Sequence, residues 1–176
     1  MVSGDLATMT QRHETSISRY IHRVARAFAS QSRQYICMPC PHEVPVVQQR
    51  LYDVACFPSI IGLIDGVHVP IVSPGGENAE RYRNRKSQFS LNVQVICDEN
   101  LFIRDVVARW FGSAHDARVF DNSSVKLRFE NGEFDGYLLG DAGYPLKTYL
   151  MTPFGAPNGA AEEKYDLAHK KNSPAS

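Results

Sequence analysis

No run of apolar residues in this chain is long enough to cross a membrane, and its opening, Met1-Val2-Ser3-Gly4-Asp5, lacks the basic-then-apolar pattern of a secretory leader. With neither, the expected location is the nucleus or the cytoplasm. An excess of one charge is also missing: 19 Lys and Arg balance 19 Asp and Glu. That excludes a polycation coating nucleic acid by bulk charge, so any basic surface must be local. Cysteine is sparse, at Cys37, Cys40, Cys56 and Cys97, and in a reducing compartment these are thiols rather than a disulfide framework. Cys37-Met38-Pro39-Cys40 with His42 has the spacing of half a zinc knuckle. No second pair follows, so two buried or idle thiols are the expected reading. What remains is 176 residues, 43% hydrophobic and 22% charged, enough for one good core and too little for two large domains.

Against this ordinary background one residue is out of place. Ile60-Ile61-Gly62-Leu63-Ile64-Asp65-Gly66-Val67-His68-Val69 is short, β-branched and bounded by Pro58 and Pro70, which reads as a central strand. A lone ionised carboxylate there costs several kcal/mol unless something cationic compensates it. Tyr137-Leu138-Leu139-Gly140-Asp141-Ala142-Gly143-Tyr144 repeats the logic: an apolar strand ends on an aspartate and turns at glycine. Two strand-borne carboxylates converging at one end of a sheet suggest a divalent metal site of the kind used in phosphodiester cleavage. The bland reading is that Asp65 accepts hydrogen bonds from a turn, or pairs with His68 or an arginine.

The N-terminal part reads as helical. Ile17, Ile21, Val24 and Phe28 recur at helical spacing after a candidate cap at Thr15-Ser16. The segment from Arg12 to Arg33 holds five arginines and a single acid, Glu14. Its basic face is either a solvated surface or part of a helix-turn-helix, with Asp5–Met9 as the tail of the first helix. In the second case Arg19, Arg23 and Arg26 are candidate DNA contacts. Residues 35–56 are a proline-marked connector with a short helix around 46–54. From Phe57 the expected order is the Asp65 strand and a loop carrying Arg81-Tyr82-Arg83-Asn84-Arg85-Lys86. A hairpin of residues 90–97 and 101–110 follows, then a helix over 115–129 capped by Ser113 or Asp116. The Asp141 strand, a short helix over 145–150, a last strand at 151–153 and a helix over 162–171 complete it. In the basic loop, Arg83, Arg85 and Lys86 are further candidates for phosphate contact.

Four segments in this order resemble the Harbinger transposase-derived nuclease family, a PIF/Harbinger-type transposase lineage with a DDE superfamily endonuclease domain. They are Phe57-Pro58 through Ile64-Asp65-Gly66-(Val67)-His68-Val69; Asn84-Arg85-Lys86 with Ser90-Leu91-Asn92-Val93-Gln94; Gly112-Ser113-(Ala114)-His115-Asp116-(Ala117)-Arg118-Val119-Phe120; and Leu139-Gly140-Asp141-(Ala142)-Gly143-Tyr144-Pro145. The resemblance implies an α/β, ribonuclease-H-like mixed sheet flanked by helices. It implies a partial helix-turn-helix over 1–34, the connector over 35–56 and the nuclease core over 57–172. It further implies hydrolysis of DNA phosphodiester bonds with Mg²⁺ or Mn²⁺, Asp65 and Asp141 as metal ligands and catalytic acids, and DNA, with a separate DNA-binding protein, as partners. His115 and Asp116 are accessory candidates; for Asp116 a helix N-cap is the competing role.

The family's third acid is a glutamate about two helical turns past the position of His169. Here that place holds Lys170-Lys171-Asn172-Ser173-Pro174-Ala175-Ser176. The third acid is therefore expected to be missing, and the chain to be a fragment, a splice form or an incomplete gene product. Glu162 and Glu163 precede the histidine and do not take the role. Two alternatives stand: a catalytically silent DNA-binding or protein-interaction relic of a transposase, and an aspartate-nucleophile phosphotransferase. The second needs an acid two residues after the first, where Val67 stands.

Overall fold

A computed structural model of the chain describes residues 14–55 and 57–170. It divides into two compact units, residues 1–37 and 38–176. In the first, α1 (Glu14–Tyr35) is amphipathic. At 100° per residue, Ile17, Ile21, Val24 and Phe28 share one side, and Arg19, Arg23 and Arg26 the other. Those arginines are exposed. Thr15 and Ser16 lie inside α1 rather than capping it, and the proposed upstream helix at Asp5–Met9 falls outside the described residues.

The second unit begins with α2 (Val44–Ala55) and is built on a five-stranded sheet. The strands are β1 (Ile60–Pro70), β2 (Ser90–Cys97), β3 (Ile103–Phe111), β4 (Tyr137–Gly140) and β5 (Leu150–Met151), in the order β3-β2-β1-β4-β5. β1 is antiparallel to β2, and β2 to β3; β1 is parallel to β4, and β4 to β5. The sheet is thus mixed, with helices flanking it, as the ribonuclease-H-like class requires. A short 3-10 helix (Ala79–Tyr82) stands in the β1–β2 loop. Between β3 and β4 come α3 (Asp116–Asp121) and α4 (Ser124–Glu130), and α5 (Ala160–Lys170) follows β5.

Strand alternation sorts the core into two layers. Ile61, Ile64, Ile96, Leu138 and Leu150 pack with Phe120, Val125 and Phe129 of α3 and α4. Ile60 and Leu139 pack with Val47 and Leu51 of α2, with Leu63, Met151, Tyr165 and Ala168 against them. The register between β1 and β4 shifts between Ile60 and Gly62, which is why Ile60 and Leu63 serve one layer while Ile61 and Ile64 serve the other.

Several local expectations are corrected. The helix expected over 115–129 is two helices, because Ser123 opens a second one: its Oγ accepts from Lys126 N at 3.2 Å and donates to Phe120 O at 2.7 Å. Neither Ser113 nor Asp116 caps α3; His115 stands at the cap without a side-chain bond, and Asp116 is the first helical residue. Residues 145–150 are a turn rather than a helix, closed by reciprocal backbone bonds between Lys147 and Leu150. Of the two thiols expected to be buried or idle, both Cys37 and Cys40 are exposed, which removes the buried case alone.

Candidate functional site

The last rung of the parallel β1/β4 ladder pairs Ile64 with Gly140. The next residue on each strand is an aspartate, Asp65 on β1 and Asp141 just past β4. Neighbouring strands run about 4.8 Å apart, so the two carboxylates come side by side where β4 ends and β1 runs on with β2 alone. The residues carrying them were picked out from sequence; their adjacency is set by the topology.

A third aspartate approaches from α3. The Asp116 carboxylate lies over Gly66 so closely that a Cβ there would land on its Oδ1, and a Cβ at Gly143 would lie 3.5 Å from its Oδ2. By alternation Gly66 faces α3, while Asp65 faces the opposite layer. Gly66 is thus the room Asp116 occupies, whereas a Cβ at Gly143 would meet Asp141 Oδ1 first, at 3.0 Å. Asn92 on β2 holds it there, its Nδ2 donating to Asp116 Oδ1 at 2.8 Å and to Ala114 O at 3.0 Å. Asp65 Oδ1 accepts from Gly66 N at 2.7 Å, the turn bond of the bland reading, and Asp141 Oδ1 accepts from Gly143 N at 2.9 Å. His68 engages Ser90 instead of Asp65, with Nδ1 3.1 Å from Oγ.

Among the described residues none of the three aspartates is in an ion pair. Burial first, and then the charges of Asp141 and Asp116, push the Asp65 carboxyl above the usual carboxylate range, against a lowering by the Gly66 bond. Tyr144 adds an unusual feature. It is 4% exposed, and its hydroxyl has no partner among the described residues. Burial, followed by the charges of Asp116, Asp65 and Asp141, raises its pKa and keeps the phenol protonated. On α5, His169 is 2% exposed and its Nε2 has no hydrogen-bond partner among the described residues; burial lowers its pKa, against a raising by the backbone of Gly140 and Met151. Glu162, on the same helix, accepts from Asn158 N at 2.6 Å.

Asp116 and Asp141 line a cavity of about 680 Å³, with His68, Arg85, Asn92 and His115; Asp65 lies outside its lining. Of the basic loop, Arg83 is engaged: it meets both carboxylate oxygens of Glu80 (2.8 and 3.0 Å) and Ser87 O (2.9 Å), and sits 4.5 Å over the Phe89 ring. Arg85 contacts His115, and Lys86 is exposed. Arg19, Arg23 and Arg26 belong to the other unit. Sequence reasoning missed Asn92 and Tyr144. The available signal was Ser90-x-Asn92-x-Gln94, a polar alternation inside a buried strand.

An oxygen-only donor set suits a hard divalent cation, which is commonly held by one or two carboxylates with waters and substrate phosphate filling the remaining positions. Two carboxylates and an unpartnered phenol at one strand end fit that pattern. Among the described residues no three His, Cys, Asp or Glu side chains gather closely enough to hold an ion, so the described residues offer such a shell two at most.

The chain spans about half the length of the curated relatives it matches. It is 35% identical over 168 residues to the human "Putative nuclease HARBI1", covering 94% of this chain and 47% of that protein, and 36% identical over the same length to its Mus musculus counterpart. It is 22% identical over 179 residues to "Protein ALP1-like" of Arabidopsis thaliana, covering 93% of this chain and 44% of that protein. No solved structure matches. The family model described as DDE superfamily endonuclease matches residues 64–173. That stretch opens one residue before Asp65 and carries Asp116 and Asp141 with it; the chain belongs to the DDE superfamily endonucleases.

Proposed function

We propose that the second unit is the core of a divalent-cation-dependent endonuclease that hydrolyses DNA phosphodiester bonds, with Asp65 and Asp141 as its cation ligands. The observation that carries this reading is the convergence of Asp65, Asp141 and Asp116 at one strand end, none of them in an ion pair among the described residues. A divalent cation bound there would supply an activated water and stabilise the leaving oxygen. Asp65 and Asp141 offer one oxygen ligand set from two adjacent strands. Asp116 stays on Asn92 and shapes the mouth, and protonated Tyr144 offers a donor to a carboxylate or a water. The expected place of work is the nucleus, where the substrate is.

A second reading, DNA binding without catalysis, is favoured by the absence of a three-ligand group among the described residues. Two protein carboxylates hold a cation weakly, and loss of one ligand commonly leaves binding while removing turnover. Residues 1–176 alone are therefore expected to bind cation and DNA weakly and to cleave little. Adding the family's glutamate-bearing helix is expected to restore cleavage.

Calorimetry with Mg²⁺ or Mn²⁺ tests the site: Asp65→Asn and Asp141→Asn should each lower affinity, and unchanged affinity in both ends the assignment. A nicking assay separates the two readings. Strong Mg²⁺-dependent nicking by the 176-residue chain, abolished by Asp141→Asn, would mean that Asp116 or another described acid completes the shell.

A further inference from the structure

Arg85 and His115 meet at the wall of the cavity that Asp116 and Asp141 line. Arg85 comes from the loop before β2, and His115 is the residue before α3. A terminal guanidinium nitrogen of Arg85 lies 2.8 Å from His115 Nδ1. Only one arrangement of protons makes this a hydrogen bond. A guanidinium has donors and no lone pair, and stays protonated in proteins. Nδ1 must then accept, which leaves the ring N–H on Nε2.

The result is a wall of donors. The remaining N–H groups of Arg85 and the Nε2–H of His115, without a partner among the described residues, stand together on exposed side chains. The cavity's carboxylates take their donors elsewhere, Asp116 from Asn92 and Asp141 from the Gly143 amide. The other arginine at this cavity, Arg83, is bound to Glu80, Ser87 and Phe89. Donors without acceptors, carrying a positive charge, repel a cation and suit an oxygen-rich anion.

We propose that Arg85 and His115 form a phosphate-holding pair, in which Arg85 fixes the Nε2–H form of His115 and both donate to a non-bridging oxygen of a DNA strand entering the cavity. The proposal rests on the endonuclease reading for the identity of the strand, but not on the cation. One cavity then has two chemically opposite walls: carboxylates on one side, donors for backbone phosphate on the other. His115 is a binding residue here, and the position of its donor depends on the tautomer that Arg85 sets.

The test is fluorescence anisotropy of a short DNA duplex with the 176-residue chain in EDTA, at about 50 mM salt. Arg85→Ala is expected to raise Kd about tenfold, the worth of one charge-assisted bond, and to lower the salt slope by about one. His115→Ala should weaken binding several-fold. The double variant should bind about as weakly as Arg85→Ala alone, because the two act as a unit. His115→Gln, whose amide N–H reaches the place of Nε2, should stay within about twofold of wild type. His115→Asn, which reaches only the place of Nδ1, should behave like alanine. That split is not expected of a merely structural residue, and matched melting temperatures confirm intact folds.

Asp141→Asn should bind at least as tightly in EDTA, since it removes a negative charge from the cavity. Wild type that fails to bind cation while these DNA effects persist would end the endonuclease reading and leave the pair standing. Cation binding with wild-type DNA affinity in Arg85→Ala, or with Gln and Asn equal at position 115, overturns the pair. So does a wild-type chain that binds no duplex at this salt.

Discussion

Asp65 carries a charge that its surroundings oppose, through burial and through two neighbouring carboxylates. A carboxyl whose folded pKa stands above its unfolded value costs the fold nothing while both states are protonated. The cost appears as pH rises past the unfolded value, near 3.8, and is complete above the raised folded value. At neutral pH without cation, Asp65→Asn should therefore raise Tm, by roughly 2–4 °C for each kcal/mol of strain relieved. It should also abolish the further rise that Mg²⁺ or Mn²⁺ gives the wild type. The gain should shrink toward pH 3, and a Tm gain that stays constant from pH 7 to pH 3 would contradict the electrostatic cause. Gly66→Ala tests the neighbouring contact, since its new Cβ falls on Asp116 Oδ1. Overpacking of this kind costs about 1–3 kcal/mol, seen as a lower Tm together with a weaker cation response. Asp65 was legible because a charged residue inside an apolar strand is anomalous within its own segment. Asn92 and Tyr144 were not, because their roles exist only once β2, α3 and the turn after β4 are packed together.

The β2–β3 hairpin is held by a buried clamp at its turn. Asp98, 1% exposed, accepts from the amides of Asn100 and Phe102 through Oδ1 and from Arg104 through Oδ2, at 2.8–3.0 Å. Removing one partner of such a pair leaves a charge unpaired, at a cost of about 3 kcal/mol or more. Asp98→Ala should therefore lower Tm by about 6–12 °C, read by differential scanning calorimetry. The hairpin was legible from two β-rich runs around Asp98-Glu99-Asn100, and β2 falls on the expected residues. The helices were read less well where capping chemistry decides. Asn122-Ser123 interrupts a weak apolar pattern that resumes at Val125, and the Ser123 hydroxyl satisfies the start of a new helix there. Pro145 suggested a helix start after Tyr144, but the chain closes on itself at Lys147 and Leu150 before a helical turn completes. Boundaries set by one side-chain bond are poorly visible to periodicity, which averages over many residues.

Across the whole molecule, charge is balanced in number but not in place. Arg19, Arg23 and Arg26 share one side of α1 and are exposed, while the acids gather at the strand ends of the other unit. On the proposed reading, duplex affinity should fall steeply with salt. Replacing these three arginines with alanine should weaken it and flatten the slope by about three; affinity indifferent to both salt and substitution would remove α1 from the DNA-binding surface. The mixed sheet has a further consequence for how the protein comes into being. β1, β2 and β3 are successive in the chain and adjacent in the sheet, whereas β4 returns to β1 only after the whole α3–α4 excursion. Closing so long a loop costs more chain entropy than pairing neighbours, so β4 is expected to join after the meander has formed. A chain emerging from the ribosome, or loosened by mild urea, can keep its three-stranded meander while Asp141 is nowhere near Asp65. On the proposed reading such a chain holds DNA without being able to cut it, so the topology ties the cutting site to the last strand pairing to form.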